Sequence, residues 1–232
     1  MPVPDPRSDL RPTAVDAALK GLGAFTGAIE ITAPPLLAID FPLAASYAAS
    51  FPQHAFTVEN APRKEVFLLS PTCCYPVFER LAGSIQRDGA IYTNKAHCFR
   101  SEAHYVEGKR QRMFLMREYI YFSSSLAAVR AWSESVRREV SALIRSWDLE
   151  VEIVRATDPF FNPADFKMRF QQEQELKQEF LIEDLAVASV NLHMASFCKA
   201  CRITAEGGGS LYSACFGLGF DRLIAMLKSA HE

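Results

Sequence analysis

Residues 99 to 118, FRSEAHYVEGKRQRMFLMRE, constrain the fold more than any other stretch of this 232-residue chain. Two apolar-rich arms flank a short polar segment around Glu107 and Gly108, the pattern of an antiparallel hairpin. In such a pair alternate side chains share a face. Arg100, Glu102, Arg110, Phe114 and Glu118 are all even-numbered, so within each arm they share a face provided no bulge shifts the register. Arginine suits a phosphate because its planar guanidinium donates paired hydrogen bonds and stays charged at any working pH. A carboxylate can accept from the amino group of adenine, and the ring of Phe114 offers a face for stacking. These residues describe a candidate ATP grip. The plainer alternative is an amphipathic hairpin with solvated arginines, since surface ion pairs are common and weak.

A second segment favours the grip. In residues 214 to 227, ACFGLGFDRLIAML, an apolar strand with glycines at 217 and 219 runs into Asp221, Arg222 and an apolar helix. Arg222 is thereby displayed at a strand-to-helix junction, where glycines let a ligand or another backbone come close.

Together the two segments resemble motifs two and three of the class II aminoacyl-tRNA synthetases. That pattern is Phe-Arg-x-Glu, a loop, Arg or His, three residues, Phe, three residues and an acid, then later Gly-x-Gly-x-x-Arg. Residues 28 to 39, AIEITAPPLLAI, look like the looser motif one, a dimer element ending in Pro34 or Pro35. The resemblance runs from about residue 20 to the end. A closer likeness is to the amino acid:[carrier protein] ligases, which are similar to the catalytic domain of the zinc-dependent seryl-tRNA synthetases of methanogens. It rests on SYAASFP (46–52), SPTCCYPVFE (70–79), DPFFNP (158–163), QQEQELKQEF (171–180), ASVNLHMASF (188–197) and YSACFGLGFDR (212–222).

The resemblance implies an α+β fold, a class II synthetase-like antiparallel sheet flanked by helices. It implies an enzyme, an adenylate-forming ligase: ATP-dependent activation of a small amino acid, glycine or alanine, then transfer to the phosphopantetheine thiol of a carrier protein. By the same resemblance Arg100 contacts the carboxylate and α-phosphate. Arg110 and Arg222 hold the γ-phosphate end, Arg222 also covers the adenine opposite Phe114, and Glu102 reads the adenine amino group. Magnesium ions should bridge the phosphates, because hard cations prefer oxygen. Seryl enzymes place a magnesium-binding glutamate three residues before a serine, but the residue three before Ser189 is Ala186, leaving Glu183 or Asp184 as substitutes. Ser189 and Asn191 would line the amino-acid pocket, and His193 would either join them or sit as a hydrogen-bonded core histidine.

Six cysteines in a chain expected to be cytoplasmic argue against disulfides and for zinc. Spacing leaves open a structural site built from Cys73 or Cys74 with the Cys198-x-x-Cys201 pair. The resemblance points instead to Cys74, Glu118 and Cys215, three ligands with an open fourth position for the substrate amine. Cys73, beside Cys74, could be the ligand in its place. Cys98, Cys198 and Cys201 read as packing residues.

Composition sets limits. Twenty-five basic and 27 acidic side chains give no strong field for nucleic acid. No apolar run of about 18 residues or signal-peptide core appears, so no membrane segment is expected and the protein should be cytoplasmic. Residues 1–12 read as a flexible N-terminal segment and 13–232 as a single catalytic domain, with no room for a tRNA-binding arm, which favours a carrier protein over tRNA. A polar helix from Pro163 to about Lys177, carrying Lys167 and Arg169, is the expected docking surface, and motif one implies a homodimer. The rival readings are a stand-alone tRNA-charging enzyme, a catalytically silent amino-acid sensor and a zinc-stabilised binding module.

Periodicity places a helix over 13–24, a strand near 28–39, a buried strand at 66–69, a helix over 75–86 and a long amphipathic helix from Leu126 to Trp147 capped at Ser124 or Ser125. Further strands are expected at 151–156, 180–182, 186–193 and 197–204, then a glycine turn, a last strand and a closing helix.

Overall fold

The computed structural model describes residues 10–155 and 176–230. The hairpin forms as β6 (Ala90–Phe99) and β7 (Met113–Ser123), with Cys98 opposite Phe114 and Asn94 opposite Glu118. These two long strands begin a seven-stranded sheet, flanked by β1 (Ile29–Glu30) on one side. On the other side follow β12 (Tyr212–Gly219), β10 (Leu185–Met194), β9 (Lys177–Ile182) and β8 (Glu152–Arg155). Every neighbouring pair is antiparallel except β1 with β6. The fold is the expected α+β class, an antiparallel-dominated sheet flanked by helices.

The two faces of the sheet differ: each packs an apolar core, but one of them also carries rows of polar residues. Tyr119, Phe216, Val190 and Phe180 point to one face and join a buried cluster with α4 (Leu126–Arg145) and α6 (Phe220–Ser229). In α4 the apolar residues Val129, Trp132, Val136, Val140 and Leu143 recur at steps of three and four and are all buried. Its start is set by Ser125, whose Oγ accepts from the amide of Ala128. The other face carries a row of residues in register across five strands, Asn94, Glu118, Gly217, Ser189 and Glu179. The next row is Tyr92, Ile120, Cys215, Asn191 and Lys177. The period-two pleat therefore gathers polar residues from five strands on one surface.

Arg117, fully buried, ties the N-terminal elements to this sheet. It pairs with Asp16 of α1 (Pro12–Lys20), with Glu30 of β1 at 3.0 Å and with the Thr93 hydroxyl at 2.9 Å. Removing one partner of such a buried pair costs about 3–5 kcal/mol, because the other charge is left uncompensated.

Several elements depart from expectation. The first helix stops at Lys20 ahead of Gly21, and a 3-10 turn follows at Gly23–Phe25. The apolar stretch near 28–39 splits around Pro34 and Pro35 into β1 and β2 (Leu36–Ala38), and β2 belongs to a separate small sheet ordered β2, β4 (Glu65–Leu69), β3 (Phe56–Asn60). In β4 only Leu68 is buried, because the small sheet leaves much of its surface to solvent. α3 (Cys74–Arg80) ends early, since Gly83 takes φ +75° and the chain then forms β5 (Ile85–Gln86). No strand spans 197–204. Met194 takes φ +54°, Ser196 Oγ donates to the His193 carbonyl at 2.5 Å, and a helical turn α5 (Ser196–Ala200) follows, leaving only β11 (Thr204–Ala205). Of the helix expected over 163–177, residues 163–175 lie outside the described residues, while Leu176 is not helical and Lys177 begins β9.

Candidate functional site

One cavity of about 670 Å3, including its open mouth, lies over the polar face, walled by residues of β7, β9, β10, β12 and the hairpin loop. Arg100, Glu102, Phe114, Ser189 and Arg222 all line it. Arg100 follows β6; its Nε donates to the Pro71 carbonyl at 3.0 Å and its guanidinium lies 5.1 Å over the Phe114 ring. The aromatic face expected to stack a purine is thus covered by this arginine. Arg222, in the first turn of α6, donates from Nε to the Lys109 carbonyl at 2.8 Å and from Nη1 to the Ala186 carbonyl at 2.9 Å. It thereby clasps the hairpin loop to β10. Burial, followed by the nearby Arg100 charge, makes its proton less tightly held than in an ordinary arginine.

The loop is held close by Gly108, at φ +68°. A Cβ there would meet the Ala225 Cβ at 2.9 Å, so only glycine both takes this turn and packs against α6. Arg110 does not line the cavity. Its side chain is half exposed with Nε 4.0 Å from Glu102, while its loop neighbours Lys109 and Gln111 supply the wall.

Beyond the cavity the same face holds Cys74, Glu118 and Cys215, whose donor atoms all lie within 4.8 Å of one another. Cys74 opens α3, Glu118 lies in β7 and Cys215 in β12. Gly217, opposite Glu118 in the ladder, makes the room: a Cβ there would stand 3.0 Å from Glu118 Oε1 and 3.1 Å from its Cγ. The hydroxyl of Thr72 donates to Glu118 Oε1 at 2.5 Å and lies 3.1 Å from Cys74 Sγ. Asn191 Nδ2 reaches Cys215 Sγ at 3.6 Å and Ser189 Oγ at 3.1 Å.

Burial pushes the Glu118 carboxyl up to about 7, the Cys215 sulfur adding to the effect and the Thr72 hydrogen bond opposing it. The hydrogen bond from the Cys74 thiol favours a thiolate on Cys215 and holds it below the ordinary thiol range, whereas burial drives Cys74 up. Glu118 Oε2 is buried and has no hydrogen-bond partner. Two sulfurs and an unpaired carboxylate oxygen converging in a buried place form a donor set suited to zinc.

Cys73 is excluded from this set by its direction: its Sγ lies 3.6 Å from Cys98 Sγ and 3.3 Å from the Met116 carbonyl. Cys198 and Cys201 pack in an apolar cluster. His193 is buried, stacked on Phe197 at 4.1 Å, with Nδ1 3.1 Å from Ser213 Oγ, and does not line the cavity. Lys167 and Arg169 lie outside the described residues. Sequence reasoning missed Thr72, Met116 and Glu179. Glu179, opposite Ser189, lines the cavity, whereas Glu183 and Asp184 sit in the exposed turn between β9 and β10. The even spacing of 114, 116 and 118 could have flagged Met116; nothing in sequence spacing brings Glu179 to Ser189, which depends on strand pairing.

No family model and no curated protein matches this chain. Solved structures do. The M. kandleri SerRS in complex with A. aeolicus tRNASec superposes with a TM-score of 0.81 at 16% identity, covering 98% of this chain and 52% of that one. Giardia lamblia prolyl-tRNA synthetase in complex with prolyl-adenylate gives 0.71 at 15%, covering 90% and 44%. Cytoplasmic serine-tRNA ligase from Naegleria fowleri in complex with AMP gives 0.70 at 13%, covering 88% and 45%. The chain spans about half the length of these proteins, and it shares the fold of the parts it matches.

Proposed function

We propose that this protein activates a small amino acid with ATP and passes it to the phosphopantetheine thiol of a carrier protein, acting as a homodimer. The observation that carries the reading is the alignment of two unlike groups along β7. Phe114 stands beside Arg100 in the arginine-lined cavity, and Glu118, two alternate positions further along the same face, stands among the sulfurs. The likeness to synthetase structures holding prolyl-adenylate and AMP supports the adenylate part.

Cys74, Glu118 and Cys215 would hold zinc, which when bound supplies a Lewis-acid position for a neutral amine. Thr72 orients Glu118 so that Oε2 remains the free donor. Arg100 swings from Phe114 toward the substrate carboxylate and α-phosphate, freeing the ring for adenine. Glu102 accepts from the adenine amino group, and Arg222 with Arg110 holds the outer phosphates. Glu179 and Ser189 offer oxygens for magnesium. A carboxylate oxygen then bonds to the α-phosphorus as the bond to the β-phosphate oxygen breaks and pyrophosphate leaves. Negative charge grows on the phosphate oxygens, and fixed guanidinium groups in a partly buried site offset it. In the second step the carrier thiol sulfur attacks the acyl carbon, AMP leaves and the thiol proton passes to solvent.

Two measurements on the zinc-loaded protein test this. Glycine or alanine should drive exchange of pyrophosphate into ATP, and mass spectrometry should find one aminoacyl group on a phosphopantetheinylated carrier protein. Exchange with loading of tRNA in place of any carrier would assign the second step to tRNA charging. Absence of exchange with every amino acid would reject activation.

A further inference from the structure

The amine and carboxylate of an α-amino acid are joined through one carbon. A substrate whose amine meets Cys74, Glu118 and Cys215 and whose carboxylate meets Arg100 must therefore lie over β7 between Phe114 and Glu118. On that face the intervening side chain is Met116. It lines the cavity, whereas the three donors, 2–4% exposed, lie beyond it. Its Cε stands 3.2 Å from the position a Cβ on Gly217 would take, the same point that Glu118 Oε1 approaches to 3.0 Å. The thioether and the carboxylate thus pack together over one glycine. Behind Met116 the buried Cys73 and Cys98, with Ala96 and Phe114, fill the remaining space. Packing on that side leaves the side chain room to move only on the side that faces the cavity.

Resting on the amino-acid activation reading, we infer that Met116 is the specificity-determining residue that limits the substrate side chain to about a methyl group. An unbranched thioether can turn about three bonds to admit the amino-acid backbone, yet it keeps its volume in the pocket. A hydrogen or methyl on the substrate α-carbon fits beside it over Gly217. A branched side chain competes with it for the same space.

The test uses calorimetric binding of unreactive adenylate mimics, the glycyl, alanyl and valyl sulfamoyl-adenosines, to the zinc-loaded protein and to Met116→Ala and Met116→Leu. A methylene in a pocket is worth roughly 10–200-fold. The parent should therefore prefer the glycyl and alanyl compounds to the valyl by at least about 10-fold, Met116→Ala should erase most of that preference, and Met116→Leu should keep it. Should the alanine variant not fold, Met116→Val, shorter and suited to a strand, carries the same comparison. An unchanged valyl-to-glycyl ratio in a shortened variant that still binds the glycyl compound overturns the inference while leaving activation standing. A parent that binds none of the three overturns the activation reading and this inference with it.

Discussion

The two ends of one sheet face solve recognition by opposite means. At the open end, Arg100, Glu102 and Arg222 reach a solvent-connected cavity, and two of them are tethered through backbone carbonyls at Pro71, Lys109 and Ala186. At the closed end, Cys74, Glu118 and Cys215 are buried, and an oxygen of Glu118 goes without a partner. On the proposed function, the open end would place cations where phosphate charge can find them at little cost to folding. The closed end stores a cost, since an unpaired buried polar group is worth about 1–3 kcal/mol of destabilisation. A metal ion held there would offset that cost, so its binding would also stabilise the fold. Disturbing the open end should therefore remove activity and spare stability, and disturbing the closed end should change both.

The largest effect is expected at the open end. Arg100→Ala should lower pyrophosphate exchange by roughly 10²–10³-fold, the usual loss of a placed charge stabiliser, with an unchanged melting temperature. A lost fold would show instead that Arg100 belongs with the structural end. Next comes the pH dependence of the metal-free protein. Glu118 titrates near 7 when folded and near its ordinary value, 4.5, when unfolded, so between these values the folded state holds the extra proton. Stability should be fully present below pH 4.5 and fall by up to about 3 kcal/mol as pH rises through 7. Zinc should abolish that slope, and denaturant melts with and without the metal read it directly. Thr72→Val, which removes the hydroxyl that orients Glu118, should weaken zinc affinity about 10–100-fold while leaving ATP binding alone. Equal loss of both would dissolve the division between the ends. Glu179→Gln should produce the smallest change, raising the magnesium needed for half-maximal nucleotide binding by roughly tenfold, the scale of one lost charge-assisted contact; Asp184→Asn should not.

How far the site could be read from the chain depended on the distance over which its parts meet. Phe114 and Glu118 lie on one strand, so their shared face follows from the pleat, and the cap at Ser125 follows from local chemistry. The cysteines needed strand and helix directions together. Cys73 and Cys74 begin α3 rather than a strand, and the helical turn sends one toward Cys98 and the other toward Cys215. Glu179 was invisible for a related reason: it meets Ser189 only because β9 pairs with β10 in a register interrupted between Ala186 and Ala188. The segment 197–204 misled because its apolar content suits a strand, but the left-handed residue Met194 had already turned the chain into α5.

The claim that an amine-holding metal site and a nucleotide cavity act as one pocket is tested most directly by pyrophosphate exchange in zinc-loaded and zinc-stripped protein, with glycine and glycolate compared. The account predicts exchange with glycine in the loaded protein alone, and none with glycolate, which has no amine. Equal exchange after zinc removal, or equal exchange with glycolate, would contradict it.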